Sequence, residues 1–178
     1  GRKGPVWIDI PIDVQATPIK KEIIKLIKKP LKLKAENSLS INKETIDQIA
    51  KKICESRRPV LYVGNGIRLS NSYNEFLKFL EKFPIATVTG WNSNDLIWDN
   101  HPCYCGRPGS VGNRAGNFAV QLSDCVIIIG SRLNIRQVSF NWKSFAKNAW
   151  TCHLDIDLDE LEKPTLKSDL KVNADING

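Results

Sequence analysis

The sequence predicts an α/β protein, a three-layer Rossmann-like domain around a mostly parallel central sheet of about five or six strands. Three observations lead there. From Pro59 onward, strand-like and helix-like patterns alternate, the order of strand–crossover–strand units that pair in parallel. The strand candidates are continuously apolar, Cys125–Ile129 above all, as strands covered on both faces are. Small-residue turns follow two of them directly, Gly64-Asn65-Gly66 and Gly130-Ser131-Arg132, at the strand ends where such folds bind ligands.

The elements follow in chain order. Gly4 to Pro11 alternates apolar and polar residues around a β-prone run and reads as a strand belonging to a preceding domain, so 1–16 is set apart as its remnant. Residues 17–41 read as a lysine-rich linker with a solvated helix, its apolar positions 19, 23, 26 and 27 following helical spacing. The domain proper spans 42–178. Asn42 caps a helix to Ser56, whose Ile46, Ile49, Ala50 and Ile53 share one face. Then come a strand at 59–63, a helix at 72–83 and a strand at 85–88. A helix near 111–122 leads to the strand 125–129, followed by a weaker helix around 142–147. Strands at 150–156 and 170–172 flank the short acidic helix 157–162.

Composition narrows the function. The 178 residues are 42% hydrophobic and 25% charged, which excludes disorder throughout. No apolar run reaches membrane-spanning or signal-peptide length. Five cysteines in a chain without a secretory signal argue for free thiols in a reducing compartment, so the cytoplasm is the expected location. The chain contains no methionine and opens at Gly1, and reads as a processed piece of a longer protein. Of the net charge of +7, seven lysines and one acid between Pro18 and Lys34 contribute +6. That segment holds no aromatic residue or arginine and reads as a linker. The alternative is a basic module for nucleic acid or anionic lipid.

Candidate chemistry gathers at the predicted strand ends. Gly64-Asn65-Gly66 permits close approach to a phosphate or ribose, but the six-residue dinucleotide fingerprint fails at Leu69 and lacks its distal acid. A nucleotide in another pose and a plain strand-to-helix turn both remain. Arg132 and Arg136, beside Gly130 and Ser131, offer planar forks suited to a diphosphate, or else face solvent. Asp155 and Asp157 share a strand face, where a metal pair or a general acid and base is disfavoured against a ribose hydroxyl or a helix cap. Residues 106–116, with four glycines, either wrap a cofactor or form a packed loop. His101-Pro102-Cys103-Tyr104-Cys105 lacks the spacing of a zinc site, and neither histidine is placed beside a thiol, so no metal and no catalytic residue is expected.

In order, Arg58-Pro-Val-Leu-Tyr-Val-Gly-Asn-Gly, Pro84-Ile-Ala-Thr-Val-Thr-Gly, Asp99-Asn-His-Pro, Asn117-Phe-Ala-Val-Gln-Leu-Ser-Asp, Gly130-Ser-Arg-Leu-Asn-Ile-Arg and His153-Leu-Asp-Ile-Asp closely resemble the central domain of thiamine-diphosphate-dependent enzymes of the acetolactate synthase type. Residues 1–15 resemble the last strand of that family's pyrimidine-binding domain. The resemblance implies a parent that decarboxylates a 2-oxo acid on thiamine diphosphate with magnesium and transfers the carbanion equivalent to an acceptor. It also implies that the thiamine-activating glutamate and the diphosphate motif lie in the pyrimidine-binding and diphosphate-binding domains, outside this chain. The chain alone is then catalytically silent. The implied partners are those domains and further copies of the parent in a homo-oligomer, without nucleic acid or membrane.

Central domains of this type hold FAD, ADP or nothing. The positions matching nucleotide contacts are Gly64, Asn65, Gly66, Thr89, Gly90, Gly109, Ser110, Gly130, Ser131, Arg132, Arg136, Asp155, Ile156 and Asp175. Departures weaken the FAD reading: Asn65 replaces a glycine, Val111 stands where FAD-binding members often have histidine, and Asn134-Ile135 replaces an acidic pair. A self-standing nucleotide-binding module is the remaining alternative.

Overall fold

The computed structural model describes residues 5–27 and 39–177, and the chain divides into two compact units, Gly1–Asn37 and Ser38–Gly178. The first holds α1 (Ile12–Gln15) and α2 (Lys21–Ile27). The strand expected over 4–11 is corrected: residues 5–11 form no strand, and Val6, Trp7 and Ile8 are exposed. A strand exists by pairing, and no neighbour for it lies among the described residues of this unit. Local bonds stand in, with Trp7 Nε1 donating to Asp9 Oδ1 at 3.0 Å and Gln15 Nε2 to the Ile10 carbonyl at 2.7 Å. Helix α2 agrees with the linker helix, while Gly4 and residues 28–38 lie outside the described residues.

In the second unit α3 (Lys43–Glu55) starts where Asn42 predicts, its Oδ1 accepting the Thr45 N–H at 2.8 Å. Ile49 and Ile53 pack on the core, but Ile46 stays exposed, so the expected face is buried only in part. Six strands form one sheet: β1 (Pro59–Val63), β2 (Ala86–Thr89), β3 (Tyr104–Gly106), β4 (Cys125–Ile129), β5 (Trp150–Asp155) and β6 (Leu170–Asn173). Their order is β3-β2-β1-β4-β5-β6, and every pair is parallel. Val63 stands opposite both Thr89 and Ile129, and Ile129 opposite Leu154, so the central strands end level.

Alternation along the strands sorts the core into two clusters. Leu61, Val63, Ile127, Cys152 and Leu154 meet Phe76 and Leu80 of α5 (Tyr73–Lys82) and the inner face of α3. Val60, Tyr62, Val126 and Ile128 meet Val120 of α6 (Arg114–Leu122) together with Leu133, Val138 and Ala146. Helix α6 starts at Arg114 and not at Val111, because Asn113 Oδ1 caps it by accepting the Gly116 N–H at 2.9 Å. The helix expected over 142–147 is corrected to a single 3-10 turn, Trp142–Ser144. The left-handed Ala146 (φ 45°) stops it. With so little helix there, a cleft of about 420 Å³ opens beside Ile128, Trp142 and Leu166. The short elements β3, α4 (Gly66–Leu69), α7 (Ile135–Val138), α1 and the 3-10 turn Trp91–Ser93 are not predicted, each being too short to show a period. The acidic helix is α8 (Leu158–Glu162). No helix among the described residues is long and apolar enough to cross a membrane.

Candidate functional site

Strand order reverses between β1 and β4, and in an open parallel sheet the crevice at such a reversal, outside the carboxyl ends, is where ligands bind. All fourteen candidate positions lie along this edge. Gly64, Asn65 and Gly66 follow β1, and Thr89 and Gly90 end β2. Gly109 and Ser110 follow β3, while Gly130, Ser131, Arg132 and Arg136 follow β4. Asp155 and Ile156 end β5, and Asp175 follows β6.

At the reversal the two turns touch each other. The Gly64 N–H donates to the Ile129 carbonyl, that of Gly66 to the Gly130 carbonyl, that of Gly90 to Val63 and that of Gly130 to Leu154, each at 2.9 Å. A Cβ on Gly66 would stand 2.5 Å from Gly130 Cα, and one on Gly130 would stand 2.7 Å from Gly66 Cα. Gly130 also holds φ +57°, so these positions require glycine because two backbones meet.

Gln137, not among the residues expected from the sequence, fills the space between the β2 and β4 turns. Its Oε1 accepts the Asn134 N–H at 2.8 Å while Asn134 Oδ1 accepts the Arg136 N–H at 3.0 Å, a capping box that starts α7. Its Nε2 donates to Ser131 Oγ at 3.3 Å and lies against Gly90, where a Cβ would come within 2.6 Å of it. Beneath, His153 is buried with Nε2 at 2.9 Å from the Ser131 carbonyl. A carbonyl only accepts, so Nε2 carries the proton. Burial pulls this imidazole below its ordinary pKa, against the opposing pull of that carbonyl and of Asp155. The Asn-x-x-Gln spacing was the signal for Gln137.

The loop after β3 is packed rather than open. Asn113 Oδ1 accepts the Arg107 N–H at 3.1 Å, and Asn117 grips both polar groups of Gly109 at 2.9 and 3.2 Å. Ser110 donates its N–H at 2.9 Å and its hydroxyl at 3.2 Å to the Arg136 carbonyl, which joins this loop to the β4 loop.

Toward β5 and β6, charged side chains take over. Arg132 Nε pairs with Glu160 Oε1 on α8, and Lys163 Nζ reaches Glu160 Oε2 at 3.2 Å and the carbonyls of Arg132 and Leu133. Burial pushes the Glu160 carboxyl up, but the hydrogen bonds and charges of Arg132 and Lys163 outweigh it and hold its pKa below the usual value. Leu133 is left-handed (φ 47°), and the ammonium of Lys163 sits on that turn. Asp155 Oδ1 accepts the Asp157 N–H at 3.0 Å, and Asp157 Oδ1 accepts the Asp159 N–H at 3.1 Å to cap α8. Asp175 Oδ1 accepts the Asn177 N–H at 3.0 Å. Arg136 and Ile156 are exposed, and Arg136 has no ion pair among the described residues.

Elsewhere the chemistry is quiet. Among the described residues no three metal-ligating side chains form a group. His101 Nδ1 accepts the Cys103 N–H at 3.1 Å, and burial pushes the Cys152 thiol up to about 12.

The family model described as "Thiamine pyrophosphate enzyme, central domain" matches residues 46–177. The chain belongs to that family. A probable acetolactate synthase large subunit of Methanococcus aeolicus is 35% identical over 178 residues, covering 99% of this chain and 28% of that protein. The acetolactate synthase large subunit of Lactococcus lactis is 32% identical, covering 99% and 30%. The isozyme 2 large subunit of Escherichia coli is 30% identical, covering 92% and 28%. The chain thus spans less than a third of the length of these relatives. As a thiamine pyrophosphate enzyme central domain it has an edge suited to a nucleotide by position, but a diphosphate laid on the glycine turns finds the amides of Gly64, Gly66, Gly90 and Gly130 already donated within the chain. The residues between β1 and β4 do not fit a group held that way.

Proposed function

We propose that this central domain works within a larger thiamine-diphosphate-dependent enzyme of the acetolactate synthase type. That enzyme decarboxylates a 2-oxo acid and transfers the remaining carbon fragment to an acceptor. Thiamine diphosphate, with magnesium, supplies the decarboxylating chemistry when bound. In this reading the cofactor sites belong to the pyrimidine-binding and diphosphate-binding domains. This domain contributes no reacting group and serves as architecture between them, in an oligomer. The observation that carries the proposal is alignment over nearly the whole chain with acetolactate synthase large subunits, joined to an edge whose polar groups bond mainly to one another.

The test is an assay of the longest natural protein containing this sequence, with pyruvate, thiamine diphosphate and magnesium. Acetolactate formation by that protein, with none from residues 1–178 alone, supports the reading. Turnover by residues 1–178 alone refutes it. A second reading places FAD or ADP across the carboxyl edge outside the glycine turns, and the exposed guanidinium of Arg136, without an ion pair among the described residues, favours it.

A further inference from the structure

We infer that the crevice between β1 and β4 is closed by the chain itself and does not take the diphosphate of a nucleotide: Gln137 and the interlocked glycine turns occupy the place that FAD or ADP would need. The inference rests on contacts within this chain and stands apart from the parent's activity.

Three observations converge. A diphosphate at a strand-to-helix turn is held by free backbone N–H groups that glycine allows it to approach. Here the N–H groups of Gly64, Gly66, Gly90, Gly109, Gly112, Gly116 and Gly130 all donate within the chain. The bare faces of Gly64, Gly66 and Gly130 meet backbone, so no ligand-sized space lies over them. At Gly90, where the obstacle is a side chain and not backbone, that side chain is the buried amide of Gln137, tied at both ends to Asn134 and Ser131.

The outer arginine offers no replacement. Arg132 already has Glu160 as its counter-ion, and Lys163 braces the same carboxylate. Of the two arginines after β4, Arg136 has no ion pair among the described residues, and its carbonyl is bound by Ser110. A single exposed guanidinium is a weak anchor for a diphosphate, whose tight sites combine several charge-assisted donors. Gln137, bridging the β2 and β4 turns, does the joining that a bound nucleotide would do.

The experiment uses the longest natural protein containing this sequence. Its absorbance near 450 nm is read after purification without added flavin, and it is then titrated calorimetrically with FAD and with ADP. In parallel, the Gln137 side-chain amide is followed by NMR for exchange with solvent. The inference expects a colourless protein, flat titrations with both nucleotides at micromolar to submillimolar concentration, and a Gln137 amide exchanging at least tenfold slower than that of exposed Gln48. Stoichiometric flavin, micromolar binding of either nucleotide, or a freely exchanging Gln137 amide overturns it. None of these readouts depends on catalysis, so failure here leaves the thiamine-diphosphate reading in place, and failure of that reading leaves this one in place.

Discussion

Between β1 and β4 the carboxyl edge is held backbone to backbone, whereas toward β5 and β6 it is held by the charged side chains Arg132, Glu160 and Lys163. The first arrangement has no slack, because glycine faces meet main chain and neither side can move aside. The second is adjustable: Arg132 is 58% exposed and can exchange Glu160 for water. One sheet edge therefore contains a rigid seam and a soft rim. Glycine at a strand end is evidence of close approach, and the approaching partner here is another stretch of the same chain.

Substitutions separate the two regions by size of effect. Gly66→Ala forces a methyl into Gly130 and should cost about 3 kcal/mol or more, read as the urea midpoint of unfolding. A neutral result would break the seam. Gln137→Ala leaves the Asn134 amide and Ser131 hydroxyl without their partner and should cost about 1–3 kcal/mol in the same measurement.

Acidification probes the ground under the seam. His153 has a folded-state pKa below that of the unfolded chain, so the unfolded state binds the proton first. Stability should therefore be full above about pH 6.5 and fall below it, by up to about 1.4 kcal/mol per pH unit. Between pH 6.5 and 5.5 a His153→Gln variant should show a shallower slope, and equal slopes would remove His153 from the account. The smallest effect belongs to the rim: Arg132→Ala should cost only about 0.5 kcal/mol, because Arg132 is more than half exposed and Lys163 still pairs with the largely buried Glu160, and less still in 1 M salt. A loss as large as that of Gly66→Ala would erase the distinction between the regions.

Much of the fold is legible in the sequence because β1 and β4 are continuous apolar runs and the longest helix carries an asparagine cap. Asn42 sets the start of α3, and Cys125–Ile129 can hardly be anything but a buried strand. The short pieces are not legible. Three residues of β3 or four of α7 show no period, and the 142–147 pattern yields to the left-handed backbone at Ala146. Residues 5–11 carry a strand pattern without a partner among the described residues of their unit. The edge is legible as a place and not as an occupancy. The turns that mark it are adjacent to their strands in sequence, but the Gly66–Gly130 contact joins residues whose proximity only the strand order creates.

The most direct test of the closed seam is amide hydrogen exchange by NMR in nucleotide-free protein, read at Gly64, Gly66, Gly90 and Gly130. The account predicts protection comparable to that of Leu61–Val63 in β1, unchanged when FAD is added. Exchange as fast as at the exposed Phe140, or new protection appearing only with nucleotide, would contradict it.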